Sequence, residues 1–173
     1  MRTTSSLQHG SSLIEVLVTI LILSFGMLSL AGMMAYAVQL PKLSAYRATA
    51  MSLATGHVER MRSNIAGYSA GAYNETMTFN ATVAISTCGY PNCDAAAIAA
   101  QDKYLSNSEI RRELPLGGMR MVCNGACSTR EGDLWILWQE PSTFAAINQS
   151  NDECPAPSTY NGTPRCIHIR FKL

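Results

Sequence analysis

Charge is scarce in this chain, and the scarcity limits the partners that its composition predicts. Only 14% of the 173 residues are charged, and the formal net charge is +1. Globular domains usually carry about a quarter charged residues. Because no run or patch of lysine and arginine stands out, the composition does not predict a nucleic-acid partner. The length suits one compact domain with an additional segment.

The sequence also lacks the motifs of common catalytic and ligand-binding sites. It contains no phosphate-binding glycine loop and no HExxH metal motif. The three histidines are His9, His57 and His168, and none belongs to a recognisable nucleophile motif. We therefore expect no catalytic residue, no metal site, no cofactor and no enzymatic activity.

Cysteine is absent from the N-terminal half of the chain and frequent in the C-terminal half. The six cysteines lie in three pairs along the sequence: Cys88 and Cys93, Cys123 and Cys127, and Cys154 and Cys166. An even number of cysteines after an apolar N-terminal segment is typical of exported, oxidised proteins. All six are therefore disulfide candidates. Zinc is the alternative, but only Cys123 and Cys127 have a spacing that suits two zinc ligands.

The disulfide pairing is only partly predictable. Six cysteines allow fifteen pairings. Cys154 and Cys166 bracket a loop and the start of the last predicted strand, so a bond between them would staple this loop to the sheet. A predicted helix of about 28 Å followed by a returning strand of about 23 Å would bring Cys93 near Cys123. This geometry favours crosslinks between the first and second cysteine pairs over local bonds within each pair.

A long apolar run occupies residues 13–40 and contains one carboxylate, Glu15, near its start. About 20 apolar residues span a bilayer, so the run is long enough for a transmembrane helix. Ala35-Tyr36-Ala37 is similar to a signal-peptidase site, but the apolar stretch before it exceeds the roughly 7 to 15 residues of a cleaved signal. A charged side chain deep in hydrocarbon costs about 2.5 to 3.5 kcal/mol. Glu15 is therefore a functional hypothesis.

The residues around the start of this run resemble a known type of leader. The polar segment 1–10 ends in Gly10 and is followed by Ser11, Ser12, Leu13, Ile14 and Glu15. This arrangement resembles a type IV prepilin leader, with Ser11 where the family usually has phenylalanine. The resemblance implies cleavage by prepilin peptidase between Gly10 and Ser11, and N-methylation of Ser11. A cleaved secretory signal and a plain membrane anchor are the alternatives.

Cleavage would give Glu15 an electrostatic role in subunit assembly. The new positive α-amino group at Ser11 would lie about 6 Å along the helix from Glu15. Between subunits staggered along a filament, Glu15 of one subunit can meet the amine of the next. Such a contact in hydrocarbon offsets most of the burial cost of each ion. We expect Glu15 to favour docking and to set the register. The alternative is a glutamate that is merely tolerated near the lipid headgroups.

Beyond residue 40 the pattern changes from uniformly apolar to striped. One helical face, at spacings of three and four, is formed by Leu43, Tyr46, Ala50, Leu53, Ala54, His57 and Met61. The helix is expected to run from about Leu13 to Ala66. Asp94 is expected to cap a second helix that ends near Arg112.

Alternating residues predict an antiparallel sheet after these helices. The predicted strands lie within residues 75–86, 119–123, 133–141 and 165–173, and residues 141–164 read as a long irregular loop. We therefore predict an α+β, type IV pilin-like fold. In it, a long N-terminal helix, half transmembrane and half amphipathic, packs on the sheet of a head that also holds the short second helix and the C-terminal loop.

Several further motifs are similar to those of one pilin group. They are the segments 14–18, 53–54, 59–64 and 67–74, Ser24 with Gly26, a cysteine before the second helix, the segment 114–118 and a tryptophan-containing strand. Together they resemble the PilV group of minor pilins. The resemblance implies a low-abundance subunit that primes pilus assembly at or near the tip and supports adhesion or twitching motility. A pseudopilin of a type II secretion system is the alternative.

The resemblance also implies a division of the chain and a set of partners. Residues 1–10 would be the leader, 11–40 the transmembrane and assembly helix, and 41–173 the periplasmic head. The expected partners are prepilin peptidase, membrane lipid, other minor and major pilins, and the inner-membrane pilus assembly machinery. The protein would reside in the bacterial inner membrane before assembly and in the pilus at the cell surface afterwards.

Overall fold

The computed structural model has the predicted α+β architecture. In chain order its elements are α1 Leu13–Ser63, α2 Ile65–Ser69, β1 Glu75–Thr76, α3 Ala95–Glu113, β2 Gly118–Cys123, a 3-10 helix Cys127–Thr129, β3 Glu131–Trp138 and β4 Arg165–Lys172. The structure describes residues 12–76, 82–83, 85–89, 91–141, 152, 154–155 and 164–173. A long N-terminal helix with an antiparallel sheet confirms the fold class expected from the sequence.

The chain divides into two compact units, Met1–Lys42 and Leu43–Leu173. The first unit contains the apolar half of α1. The second unit, which we call the head, contains the striped half of α1, the other helices and the sheet. The functional division of the chain at residues 10 and 40 stays a prediction.

α1 begins at Leu13, as predicted, and Ser12 supplies its first backbone acceptor. The carbonyl oxygen of Ser12 accepts from the N–H groups of Glu15 at 2.9 Å and Val16 at 3.3 Å. The helix contains 51 residues and continues through Pro41. Because proline has no N–H, one backbone hydrogen bond of the helix is missing at that position.

Asn64 ends α1 before the predicted residue, Ala66. Its backbone leaves the helical region at φ −130° and ψ 60°. The Asn64 Nδ2 donates to the carbonyl oxygen of Ala95 at 2.7 Å and to the Tyr73 hydroxyl at 3.2 Å. Its Oδ1 accepts from the N–H of Gly67 at 3.2 Å and so caps α2. Gly67 lies inside α2, where a Cβ would stand only 2.7 Å from the Ala95 carbonyl oxygen.

α3 confirms the predicted second helix and its cap. The Asp94 side chain accepts a hydrogen bond from the N–H of Ala97 at 2.7 Å, which satisfies one of the free donors of the first turn. The helix ends at Glu113, and the chain then turns closely toward the sheet. A Cβ at Gly117 would lie 2.6 Å from the carbonyl oxygen of Ile110, so the turn needs a glycine there.

Within the described residues, four strands pair in the order β1-β2-β3-β4, and all three pairings are antiparallel. The predicted strands β2, β3 and β4 are confirmed. β1 is shorter than the predicted segment 75–86, because the described residues 82–83 and 85–86 form no strand and the others lie outside the described residues. Most of the predicted loop 141–164 also lies outside them.

The core of the head lies between the striped face of α1 and one face of the sheet. Its fully buried side chains include Ala50, Ala54 and Met61 from α1, and Met119, Met121, Leu134, Ile136 and Trp138 from the sheet. The buried face of α1 confirms the predicted stripe. The alternation in β2, β3 and β4 is also as predicted, since the intervening polar side chains point away from this core.

One of the three disulfides has the pairing that was predicted, and the other two do not. Cys154 is bonded to Cys166, as predicted, with a Cα–Cα distance of 5.7 Å. The other two bonds are local: they join Cys88 to Cys93 and Cys123 to Cys127, with Cα–Cα distances of 5.3 and 5.1 Å. The predicted crosslink between these pairs is therefore wrong.

The local disulfides are explained by the path of the chain between the two cysteines of each pair. Cys123 ends β2, and the chain turns at once into the 3-10 helix that begins at Cys127. Cys88 and Cys93 lie in the segment before α3, where the N–H of Cys88 is held by the Gln101 side chain at 3.0 Å. Each turn brings its own two cysteines together.

Candidate membrane and assembly segment

The first half of α1 exposes apolar side chains along its length. The side chains of Phe25, Leu28 and Met34 are about two-thirds or more exposed, at 67%, 69% and 71%. A stretch of 18 residues within α1 has a mean hydropathy of 2.4, and none of these residues is buried. The helix is thus long and apolar enough to cross a membrane. Such a surface needs lipid or other helices around it, because water disfavours a contiguous apolar area of this size.

Glu15 lies in the first turn of α1 and is exposed. The free N–H groups and the dipole of a helix N-terminus favour a carboxylate at this position. Gly10 and Ser11, the predicted cleavage and methylation residues, lie outside the described residues, so the predicted cleavage, methylation and charge pairing stay predictions. The acid is one of few polar groups in the apolar half of α1.

Two hydroxyl groups in the same half of α1 bond to the helix itself. Thr19 Oγ1 donates to the carbonyl oxygen of Val16 at 2.8 Å, and Ser24 Oγ donates to that of Ile20 at 2.8 Å. In hydrocarbon, polar groups must be satisfied within the protein. These two hydroxyls therefore suit a membrane environment, because their hydrogen bonds are made within the helix.

His57 is the buried polar centre of the contact between α1 and α3. Its side chain is 1% exposed, and its Nδ1 lies 2.8 Å from Ser106 Oγ. Burial, with smaller contributions from the charges of Arg60 and Lys103, lowers the pKa of His57 from 6.5 to about 3. We expect no ligand or catalytic role for this histidine, and its contacts in the structure are those of a core residue.

A polar network extends this contact, and the sequence patterns do not reveal it. The Tyr73 hydroxyl donates to Asp102, and burial together with this carboxylate raises the pKa of Tyr73. Arg60 donates to both carboxylate oxygens of Glu109, at 3.0 and 3.2 Å. The Arg60–Glu109 pair joins α3 to α1, and the Tyr73–Asp102 bond joins α3 to the segment after α2. Their members are far apart in sequence, so no local motif could have identified them.

The face of the sheet that points away from the core carries a row of planar side chains. Arg120, Trp135 and His168 are direct neighbours across β2, β3 and β4. The Trp135 and His168 rings are stacked at 4.5 Å, and the Arg120 guanidinium lies 5.6 Å from the Trp135 ring centroid. Asp133 accepts from His168 at 2.7 Å and from Arg170 at 3.1 Å. His168 and Arg120 both contact the ring of Trp135, so the row consists of side chains that pack against one another across the strands.

The comparisons with known proteins bear on the N-terminal segment. Residues 5–31 match the family model described as the prokaryotic N-terminal methylation motif. No curated protein and no solved structure matches the chain. The matched motif indicates a type IV pilin or pseudopilin-like protein. Together with the exposed apolar helix, it fits a membrane-anchored pilin that interacts with other pilins or with their assembly machinery.

Proposed function

We propose that this protein is a minor pilin of a type IV pilus, of the PilV-like kind, and that it helps to prime pilus assembly at or near the tip. The observation that carries the proposal is the methylation motif at residues 5–31, which leads directly into the exposed apolar half of α1. A processed pilin needs this combination, since the same helix must reside in lipid before assembly and among other helices afterwards.

The proposal assigns a role to each part of the chain. Prepilin peptidase removes residues 1–10 after Gly10, and Ser11 becomes the methylated terminus. Glu15 then pairs with the α-amino group of a neighbouring subunit, which offsets the cost of a charge in hydrocarbon. The head is a structural and adhesive module without enzymatic activity.

The disulfides support a periplasmic and then extracellular location of the head. All described cysteines, namely those of the three pairs, are bonded. Disulfides persist in oxidising compartments and are rare in the cytosol. With the head in the periplasm, α1 would cross the inner membrane and place the leader on the cytoplasmic side, where prepilin peptidase would cleave it.

A pseudopilin of a type II secretion system is the second candidate, because the methylation motif is common to both classes. Deletion of the gene separates the two. We expect a deletion strain to show fewer surface pili and normal protein secretion, with pili restored by the wild-type gene. Normal piliation with a secretion defect would favour the pseudopilin and contradict the proposal. The matched control is complementation with Glu15→Ala, which should not restore piliation.

A further inference from the structure

Four charged side chains join the C-terminal segment to α1. They are Arg47 on α1, Glu140 after β3, Asp152, and Arg165 at the start of β4. The Arg47 Nη2 lies 3.0 and 3.1 Å from the two carboxylate oxygens of Asp152. The Arg165 Nη1 lies 3.6 Å from Asp152 Oδ2, and its Nε lies 3.4 Å from Glu140 Oε2. Asp152 is thus shared by guanidinium groups from two different elements.

Asp152 is important because it supplies a negative charge beside Arg165, whose side chain is buried. The side chains of Arg165 and Glu140 are only 7% and 6% exposed, and that of Asp152 is 15% exposed, whereas that of Arg47 is 47% exposed. Removing one member of a buried ion pair leaves a charge without compensation, which is strongly unfavourable. The Asp152 carboxylate therefore both compensates Arg165 and gives Arg47 a partner from another part of the chain.

The Cys154–Cys166 disulfide brings these charges together. The carbonyl oxygen of Asp152 accepts from the N–H of Cys154 at 2.8 Å, which holds the backbone of Asp152 close to Cys154. Cys166 directly follows Arg165 in β4. The covalent bond between the cysteines therefore holds the Asp152 carboxylate beside the guanidinium of Arg165 at the start of β4. From there the carboxylate also reaches Arg47.

We propose that the Cys154–Cys166 disulfide is a redox-dependent latch, which holds Asp152 on Arg47 when oxidised and releases this part of α1 when reduced. The reductant is a dithiol. One of its thiolates attacks the sulfur of Cys154, which is less buried than Cys166, and Cys166 leaves as a thiolate. The second thiolate of the reductant then displaces Cys154 and closes the reductant's own disulfide. Both cysteines finish as protonated thiols after the transfer of two electrons.

The latch differs from a simple staple in what it controls. A disulfide that stabilised the C-terminal segment without fixing Asp152 would leave the Arg47–Asp152 pair in place when opened. The latch predicts that Arg47, on a distant part of the sequence, becomes more accessible as this bond opens. It also predicts that the bond acts through the Asp152 carboxylate, so that removal of that carboxylate reproduces the effect without any change of the cysteines.

The test follows the reactivity of Arg47 in the full-length protein in detergent micelles. Samples are reduced with increasing dithiothreitol, alkylated, and treated with phenylglyoxal, a reagent that modifies arginine. Mass spectrometry then measures the labelling of Arg47 together with the remaining amount of each disulfide-linked peptide. Arg62, which lies on α1 and pairs with Glu59 of the same helix at 2.7 Å, is the internal reference. We expect Arg47 labelling to rise several-fold in step with the loss of the Cys154–Cys166 peptide, while Arg62 labelling stays constant.

Two variants complete the test. Asp152→Asn, with all cysteines intact, should raise Arg47 labelling to the level of the reduced protein, and reduction of this variant should add nothing. The matched control, Cys123→Ser with Cys127→Ser, removes another disulfide and should leave Arg47 labelling as in the wild type. Labelling that follows the loss of a different disulfide, or that is unchanged in Asp152→Asn, would overturn the proposal.

Discussion

Glu15 shows how one side chain can link the membrane and filament states of a protein. It lies in the first turn of α1 within a segment whose other side chains are mostly apolar. In lipid its charge is a cost, and in a filament the same charge can meet a positive terminus. The proposed role therefore depends on a difference between two environments and not on a contact within one subunit.

Replacement of Glu15 tests this role. We expect Glu15→Ala to fold and insert into the membrane normally, since the change removes a charge that costs about 2.5 to 3.5 kcal/mol at the bilayer centre. The variant should co-purify poorly with other pilins, because the partner amine then stays uncompensated. Glu15→Asp is the control that keeps the charge and should retain part of the binding. Co-purification of Glu15→Ala at the wild-type yield would count against the charge pairing.

His57 makes the stability of the head depend on pH. Its folded-state pKa of about 3 is below the ordinary value of 6.5, so below pH 6.5 the unfolded chain binds a proton that the folded chain does not. Stability from this group is therefore complete above pH 6.5 and falls as the pH decreases toward 3. Between pH 7.5 and pH 5 we expect a loss of about 2 kcal/mol from this residue.

Urea unfolding at the two pH values measures this loss. The matched variant His57→Gln cannot take up the proton, so its unfolding free energy should fall by less between pH 7.5 and pH 5. The difference between the two pH effects isolates His57 from the other titrating groups, which both proteins share. Equal pH effects in wild type and variant would show that burial of His57 does not control acid stability.

At the scale of elements, two glycines show why a helix and a strand respond differently to the same substitution. Gly56 lies on the exposed side of α1, where an added Cβ would have nothing within 4 Å. Gly132 lies in β3, where a Cβ would stand 2.8 Å from Phe171 Cζ and would also collide with the Tyr68 hydroxyl. The Tyr68 hydroxyl donates to the Glu131 carbonyl oxygen at 2.8 Å and so holds α2 against β3.

We expect Gly56→Ala and Gly132→Ala to change stability in opposite directions. Alanine at Gly56 should stabilise the head by about 0.5 to 1 kcal/mol, because it restricts the unfolded chain and favours the helix. Alanine at Gly132 should destabilise it by about 1 to 3 kcal/mol through overpacking. The measurement is the free energy of unfolding in denaturant. A stable Gly132→Ala protein would mean that the contact between α2 and β3 is looser than the structure indicates.

At the scale of the whole molecule, processing decides which form of the chain functions. We expect the intact mass of the membrane form to correspond to a chain that begins at Ser11 and carries one added methyl group. A Gly10→Val variant should keep the mass of the full precursor, because a bulky residue then occupies the cleavage position. A mature form that begins at Val38 would identify an ordinary secretory signal and would remove the pilin interpretation.

The apolar run, the helical stripe and the alternating strands were sufficient to predict α1, α3, β2, β3 and β4. These signals are local: burial of one face imposes a period on neighbouring residues, and Asp94 caps α3 through a contact only three residues away. The Cys154–Cys166 bond was predictable for a related reason, since these two cysteines bracket one loop that must return to the sheet.

The sequence by itself therefore determined the positions of α1, α3, β2, β3 and β4, and which faces of α1 and of these strands are buried. Only the tertiary structure decided where α1 stops, because Asn64 ends it through contacts with Tyr73 and Ala95. It also decided that His57 meets Ser106, and that Arg47 meets Asp152. Each of these contacts joins residues that are distant in the chain, and no local period or spacing encodes which distant groups will meet. Their partners are set by the packing of whole elements.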